Sequence, residues 1–323
     1  MKTTSLLVWT LSAFLSLVSA ASFSNPLKAV NGSDPHIVYD DGFYYLMTTT
    51  WTNLQITRAK TLEGLKTGEN KVVWTDTNPA RCCNVWAPEL HKIDNTWWIY
   101  YTAGNRVNLD GQRSHVLRGG ATPWDTFSYA GQLTRDWGID GTVLRFPNQN
   151  YFVWSCFPRP QSQSLCIAPM NSPTSLGASR VLSEPTLPWE RVGNPVNEGA
   201  AGLYRDGKIF LAYSGSYCWT SSYQLGLLTY KGSGDPMLAT SWTKTGPVFS
   251  SANGNYGTGH NAFFLSPDGS EVWNVYHATW IRDGACDGNR YTAAKRVNWN
   301  SDGSPDFGRA DAPGTDITGP SGE

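Results

Sequence analysis

The sequence contains few charged residues, and the two signs are almost balanced. Charged residues make up 16% of the 323 positions, against a usual value of about 25%, and the formal net charge is −1. Proteins that bind nucleic acid normally carry a basic face, so we expect no nucleic-acid partner. Aromatic residues reach 13%, which excludes intrinsic disorder. A weakly charged, aromatic-rich chain is suited to neutral partners such as sugars.

Long apolar runs are absent after the first twenty residues. Lys2 is followed by an apolar run from Leu6 to Val18, and Ser19 and Ala20 complete the small-residue pattern that a signal peptidase cleaves. The run is shorter than the ~20 residues that a membrane-spanning helix needs. We therefore predict a signal peptide over 1–20, a secreted chain over 21–323 and no membrane association.

The six cysteines also lack the spacing of a metal site, since no CxxC pair occurs among them. An even number of cysteines in a secreted protein indicates disulfides. We expect Cys156 to pair with Cys166 as a local link, and Cys218 to pair with Cys286. The adjacent cysteines at 82 and 83 either form a strained bridge or stay free, and the sequence leaves both possibilities open.

Convincing helix patterns are lacking, and a repeat takes their place. Five segments share one plan, in which a polar residue is followed by an apolar strand, a tight turn and an aromatic strand. The turns contain Gly42, Asn95, Asn148, Gly207 and Gly269, spaced 53 to 62 residues apart. This spacing leaves room for about four short strands per unit. We predict an all-β, five-bladed β-propeller forming a single domain, because a β-sandwich or a parallel β-helix repeats on shorter spacings.

The first residues of the five units are expected to meet at one mouth of the central channel. They are Asp34, Trp86, Asp140, Glu198 and His260. Three carboxyl groups that converge from different blades shift one another's pKa values, and such sites tend to be functional. Two carboxyl groups of unequal pKa are what glycoside hydrolysis requires.

Short motifs in the same segments resemble those of a known family. The motifs are Asp34-Pro35-His36, Trp86-Ala87-Pro88-Glu89, Gly138-Ile139-Asp140, Asn197-Glu198-Gly199 and the late stretch from Arg290 to Gly308. In order and spacing they resemble the blade signatures of family 43 of the glycoside hydrolases. The resemblance implies a five-bladed propeller that hydrolyses α-L-arabinofuranosides, β-xylosides or arabinan with inversion of configuration.

The resemblance also implies a role for each acid. Asp34 would be the general base that activates water, and Glu198 the general acid. Asp140 would raise the pKa of the acid and orient it. An inverting mechanism needs room for a water molecule, so we predict that the carboxyl groups of Asp34 and Glu198 lie ~6.5–9.5 Å apart.

Four further residues are predicted to bind substrate. Arg290 matches the family's arginine that bonds a sugar hydroxyl near the acid, and Trp86 is expected to form the floor of the sugar pocket. His36 and Trp154 are the other two candidates, although packing within a blade is the alternative for Trp154. For the remaining tryptophans, such as Trp219, blade packing is the expected role.

A cation is an optional component of this site. His260 resembles the family's histidine that reaches the central channel and holds, through water, a calcium or other cation. The carboxylate mechanism itself requires no cofactor. Glu89 lies in a recognisable motif, but the resemblance implies a structural role for it, so we do not expect it to be catalytic. The five histidines show no HxxxH or HxH pairing, which disfavours a metal-dependent hydrolase.

The stretches 42–51 and 81–90 are most similar to secreted fungal arabinofuranosidases. We therefore predict an exo-acting α-1,5-L-arabinofuranosidase that works as a monomer on the arabinan or arabinoxylan of plant cell walls. An endo-arabinanase, and a β-xylosidase or arabinoxylan-debranching enzyme, are alternatives on the same scaffold. A non-catalytic sugar-binding propeller is disfavoured, because the five equivalent positions carry different residues.

Overall fold

The computed structural model describes residues 21–323, and the predicted signal peptide lies outside them. Four-stranded antiparallel sheets form the first, second and fourth blades. The first contains β2 (His36–Asp40), β3 (Phe43–Met47), β4 (Leu54–Ala59) and β5 (Glu69–Trp74). The second contains β6 (Cys83–Ile93), β7 (Thr96–Gly104), β8 (Arg113–Arg118) and β9 (Ser128–Gln132). The fourth contains β15 (Asn197–Arg205), β16 (Lys208–Gly215), β17 (Gln224–Tyr230) and β18 (Trp242–Phe249).

The other two blades vary this plan. The third contains β10 (Gly138–Phe146), β11 (Gln149–Arg159), β12 (Ser162–Ser172), β13 (Ser175–Leu176) and β14 (Arg180–Ser183). The fifth contains β19 (Tyr256–Leu265), β20 (Val272–Thr279) and β21 (Arg290–Arg296). Every predicted turn residue lies between the first two strands of its blade. Turn chemistry therefore sets where each innermost strand ends and its hairpin partner begins.

The five innermost strands (β2, β6, β10, β15 and β19) contact one another in a closed ring. Five hydrophobic clusters fill the spaces between neighbouring blades, so each blade buries both of its faces. Burial of these large apolar and aromatic side chains is the main driving force for closing the ring. The prediction of an all-β, five-bladed propeller is confirmed.

The two ends of the described chain pair with each other. The strand β1 (Ser22–Ser24) is antiparallel to β24 (Asp316–Thr318), and a small hairpin joins β22 (Asn298–Trp299) to β23 (Pro305–Asp306). The C-terminal tail is thus part of a sheet. In the described part of the chain, three short 3₁₀ helices lie at Glu63–Thr67, Pro188–Glu190 and Ala239–Ser241. Within 21–323, no helix has the length and apolarity needed to cross a bilayer.

All six cysteines form disulfides. Cys156 is bonded to Cys166, and Cys218 is bonded to Cys286, as predicted. The adjacent cysteines at 82 and 83 are also bonded to each other, which decides between the two possibilities that the sequence left open.

Candidate active site

Each innermost strand has an unusual backbone conformation where it enters the channel. One residue there has a positive φ, in a region that residues other than glycine rarely adopt. These five residues, called here the entry positions, are Asp34 (54°), Ala87 (44°), Asp140 (56°), Gly199 (55°) and His260 (40°). Strand pairing also shifts register at this place in the second, third, fourth and fifth blades. A bulge of this kind re-aims side chains, and it directs acids from separate blades to one region.

At four of the five entry positions, a side chain at or just beyond the second strand of the preceding blade accepts the backbone N–H. Thr49 Oγ1 accepts the N–H of Ala87 at 2.8 Å, and Thr102 Oγ1 accepts that of Asp140 at 3.1 Å. Ser214 Oγ likewise accepts the N–H of His260 at 2.7 Å. His277 Nδ1 accepts the N–H of Asp34 at 3.2 Å. These hydrogen bonds compensate in part for the local backbone strain, which costs about 1–3 kcal/mol per residue.

Asp34 is surrounded by groups that favour its ionised form. Its Oδ1 lies 3.2 Å from Arg290 Nη1 and 3.2 Å from His260 Nδ1, and Thr49 Oγ1 donates to Oδ2 at 2.6 Å. Burial alone would raise the pKa of Asp34, but the Arg290 guanidinium and the neighbouring histidines outweigh burial and hold that pKa well below its usual range. Asp34 is therefore a carboxylate at neutral pH, as a general base must be.

Glu198 lies in the opposite electrostatic situation. Tyr223 donates its hydroxyl to Oε1 at 2.9 Å, and Gln163 donates its amide to Oε2 at 2.6 Å. Burial, assisted by the negative charge of Asp34, raises the pKa of Glu198 to about 7, against these two hydrogen bonds. Glu198 therefore keeps a proton through weakly acidic pH, which suits a general acid.

Asp140 is the third buried acid of the site. Its Oδ2 is 3.7 Å from His260 Nδ1, and the backbone N–H of Gly199 stabilises its charge. Burial, followed by repulsion from Glu198 and Asp34, raises the pKa of Asp140 well above its usual value. Asp140 and Glu198 thus titrate as a pair that holds a proton when Asp34 has none.

Arg290 and Trp86 lie at the same mouth. Arg290 is 4% exposed and is the cation closest to Asp34. The guanidinium also donates to the backbone oxygen of Cys286 at 3.3 Å, so the Cys218–Cys286 loop helps to position it. Trp86 packs edge-on against Trp51, with ring centroids 6.2 Å apart. Their predicted contacts with a sugar stay predictions.

Tyr223, Gln163 and the residues that hold the bulges were not among the sequence candidates. A usable signal was nevertheless present, because the holding residues keep a nearly constant distance from the turn of their hairpin. Thr49, Thr102 and Ser214 each follow their turn residue by seven positions, and His277 follows its turn residue by eight. Tyr223 has no such repeat relation, since it lies in the loop before β17 and stacks on His277 at 5.5 Å.

His36 belongs to the far part of the channel. A cavity of about 580 Å³ lies there, lined by residues from all five innermost strands. His36 Nδ1 accepts the N–H of Leu90 at 3.3 Å, and His91 Nε2 lies 2.7 Å from Glu89 Oε2. Burial lowers the pKa of His36 to about 4 and that of His91 well below its usual value, so both rings are neutral.

His36, Glu89 and His91 together present three potential ligand atoms within 4.8 Å of one another. Two neutral imidazoles and a carboxylate are a donor set that can hold a divalent cation. His260, the predicted cation residue, instead directs Nδ1 toward Asp34 and Asp140. The predicted contact of His36 with substrate, and the predicted role of His260, both stay predictions.

Trp154 lies on β11 in the third blade. It is 7% exposed, stacks on Phe152 and borders a second cavity. Trp219 is 48% exposed, so it does not serve the packing role expected for it.

Comparisons with known proteins agree with this geometry. The profile of glycosyl hydrolases family 43 matches residues 23–305. An extracellular exo-α-(1→5)-L-arabinofuranosidase of Streptomyces avermitilis is 37% identical over 90% of this chain and 64% of its own length. α-L-Arabinofuranosidase 43 of Humicola insolens is 36% identical, with the same coverage. The chain therefore spans less than two thirds of these relatives. The crystal structure of an α-L-arabinofuranosidase from Lactobacillus brevis superposes with a TM-score of 0.84 at 31% identity, covering 91% of this chain and 98% of that one.

Proposed function

The chain belongs to family 43 of the glycosyl hydrolases, and we propose that it releases L-arabinose from α-1,5-linked arabinan and its oligosaccharides by inverting, exo-acting hydrolysis. The observation that carries this proposal is the pair of opposed pKa shifts, downward at Asp34 and upward at Glu198. An inverting glycosidase needs one ionised and one protonated carboxyl group. The activity named for the similar relatives supports the choice of substrate.

The proposed reaction moves two protons. Asp34 accepts a proton from a water molecule while the oxygen of that water attacks the anomeric carbon of the terminal arabinofuranosyl unit. Glu198 donates its proton to the glycosidic oxygen, and the bond between that oxygen and the anomeric carbon breaks. The incoming oxygen arrives on the face opposite the leaving group, so the configuration is inverted. Asp140 keeps the acid protonated and oriented.

Two residues are proposed to bind the reacting sugar. Arg290 can donate to a hydroxyl group while it holds Asp34 ionised. Trp86 forms the floor of the pocket, because the C–H face of a sugar packs well on an aromatic ring. Both residues lie at the channel mouth that carries the acids.

The mechanism of this family needs no cofactor. We propose that a calcium or other cation in the channel, predicted beside His260, has a structural role. His36, Glu89 and His91 are the residues that would hold it, and it would compensate the buried charge of Glu89. The presence of three disulfides supports a secreted protein, and we propose that it acts as a monomer on plant cell-wall polysaccharide.

The product profile of linear α-1,5-arabinan tests this proposal. Wild type, Glu198→Ala and the control Glu69→Gln, on the exposed outer strand β5, are incubated with arabinan, and the products are separated by chromatography over time. We expect arabinose alone from the earliest time point with wild type and with the control, and no product with Glu198→Ala. Proton NMR of the first product is expected to show the β-anomer.

Other outcomes would contradict defined parts of the proposal. A ladder of oligosaccharides would indicate an endo-arabinanase. Activity on arabinoxylan or xylosides without activity on arabinan would assign the alternative substrates. An α-anomer would refute inversion, and full activity of Glu198→Ala would refute the assignment of the acid.

A further inference from the structure

A second cavity, separate from the channel, opens on the third blade. Its volume is about 520 Å³. Three aromatic side chains line it, those of Trp137, Trp154 and Phe157. The rings of Trp137 and Phe157 lie 4.5 Å apart between centroids, and Phe157 is 45% exposed. A large apolar side chain that stays exposed beside a cavity needs an explanation, because burying it would be favourable.

The fold holds these rings in fixed positions. Trp137 directly precedes β10, and its indole N–H donates to the backbone oxygen of Leu109 at 3.0 Å. Phe157 lies near the end of β11 and directly follows Cys156, which is bonded to Cys166 of β12. A preorganised aromatic surface loses little conformational entropy when a ligand binds.

Polar groups surround the rings. Arg135, Asp136 and Arg180 line the same cavity. None of them forms an ion pair with another residue in the described part of the chain. Their donors and acceptors are thus available to hydroxyl groups. Flat rings beside donors and acceptors of both signs fit a neutral, polyhydroxylated ligand.

The cavity lies close to the acids along the chain. Trp137 is three residues before Asp140, and three extended residues span at most about 11 Å. A polysaccharide several sugar units long can therefore reach both places at once. A short substrate that fills only the pocket around the acids cannot.

We propose that this cavity is an auxiliary binding site for arabinan, occupied by sugar units of the polymer other than the one being hydrolysed. This inference rests on the proposed function for the identity of the polymer. Simultaneous binding at two places on one chain raises the apparent affinity without any change at the acids. The site contributes to binding of the polymer and not to hydrolysis of short substrates.

Affinity electrophoresis in gels with and without linear α-1,5-arabinan tests the proposal directly. The parent protein is Glu198→Gln, which cannot degrade the polymer during the run. Trp137→Ala and Phe157→Ala are each added to it, and Trp299→Ala, on the distant β22, is the matched control. We expect the parent and the control to be retarded. We expect the apparent dissociation constant to rise about three- to tenfold in each cavity variant, the size of one lost aromatic contact.

Kinetics of the same substitutions in the active enzyme give an independent readout. We expect kcat/KM to fall by the same factor on long arabinan and to stay unchanged on an aryl arabinofuranoside, which also shows that the variants are folded. Equal retardation of parent and cavity variants, or a parent that arabinan does not retard, would overturn the auxiliary site. Absence of arabinan hydrolysis by wild type would refute the proposed function separately, since the binding comparison does not require turnover.

Discussion

Replacing Tyr223 by phenylalanine is expected to move the alkaline limb of the pH profile to higher pH. The hydroxyl of Tyr223 donates to Glu198 Oε1 at 2.9 Å. A donor stabilises the ionised carboxylate, so this hydrogen bond lowers the pKa of Glu198 from the value that burial would otherwise set. The general acid works only when protonated. Loss of the hydroxyl therefore extends activity into more alkaline solution.

The size of the shift follows from the strength of the lost bond. A hydrogen bond to a charged group contributes about 1.5–3 kcal/mol, and about 1.4 kcal/mol corresponds to one pKa unit. Gln163 still donates to the other oxygen of Glu198 at 2.6 Å. We therefore take the lower end and expect the alkaline pKa to move from about 7 to about 8.

The assay is kcat/KM for an aryl α-L-arabinofuranoside between pH 4 and pH 10. Tyr213→Phe is the matched control, because Tyr213 donates a similar buried hydrogen bond, of 2.8 Å, to Glu190 outside the site. We expect this control to lose stability and to keep the wild-type profile. An alkaline limb of Tyr223→Phe that stays in place or moves to lower pH would refute the reasoning.

Three other variants test the remaining contacts. Asp140→Asn leaves Glu198 without the carboxyl partner whose charge raises the second pKa of the pair, so the pKa of the alkaline limb should fall by about one unit; an unmoved limb would contradict the coupling of these two acids. Arg290→Gln removes the main cation beside Asp34. The pKa of the acidic limb in the kcat/KM profile should therefore rise by about one unit, and an unchanged pKa would contradict that pairing. Cys218→Ser combined with Cys286→Ser opens a link with a sequence separation of 68. Guanidinium titration should then show a loss of about 4 kcal/mol in the free energy of unfolding, and an unchanged midpoint would contradict this expectation.

The sequence predicted the propeller because turn chemistry is local. Asp41-Gly42 and Asp206-Gly207 need no distant partner to favour a hairpin, and their spacing then gives the number of blades. Glu198 shows where this reasoning stops. The repeat predicted that Glu198 is equivalent to Asp34 and Asp140, yet the residue with their backbone conformation is Gly199. The distance to the next turn is eight residues from Gly199, as from Asp34, so this one-residue offset was visible in the sequence.

Contacts between remote segments were not predictable from local patterns. Gln163 and Tyr223 reach Glu198 from 35 and 25 residues away, and neither position has a counterpart in other blades. Position 199 requires a glycine for a reason that only the folded channel reveals. A Cβ atom there would lie 2.9 Å from His260 Cγ, closer than van der Waals contact permits, so the imidazole occupies the space that a side chain would need.

The five entry positions share one conformation but not one chemistry. Asp34, Asp140 and His260 project functional groups, whereas Ala87 carries only a methyl group and Gly199 carries no side chain. The backbone conformation thus does not depend on which side chain it presents, because the hydrogen bonds that hold it come mainly from a neighbouring strand. A propeller of this kind can acquire a new reaction by exchanging single residues around a constant ring. Ala87 illustrates this independence, because Thr49 Oγ1 holds its N–H whatever side chain the position carries.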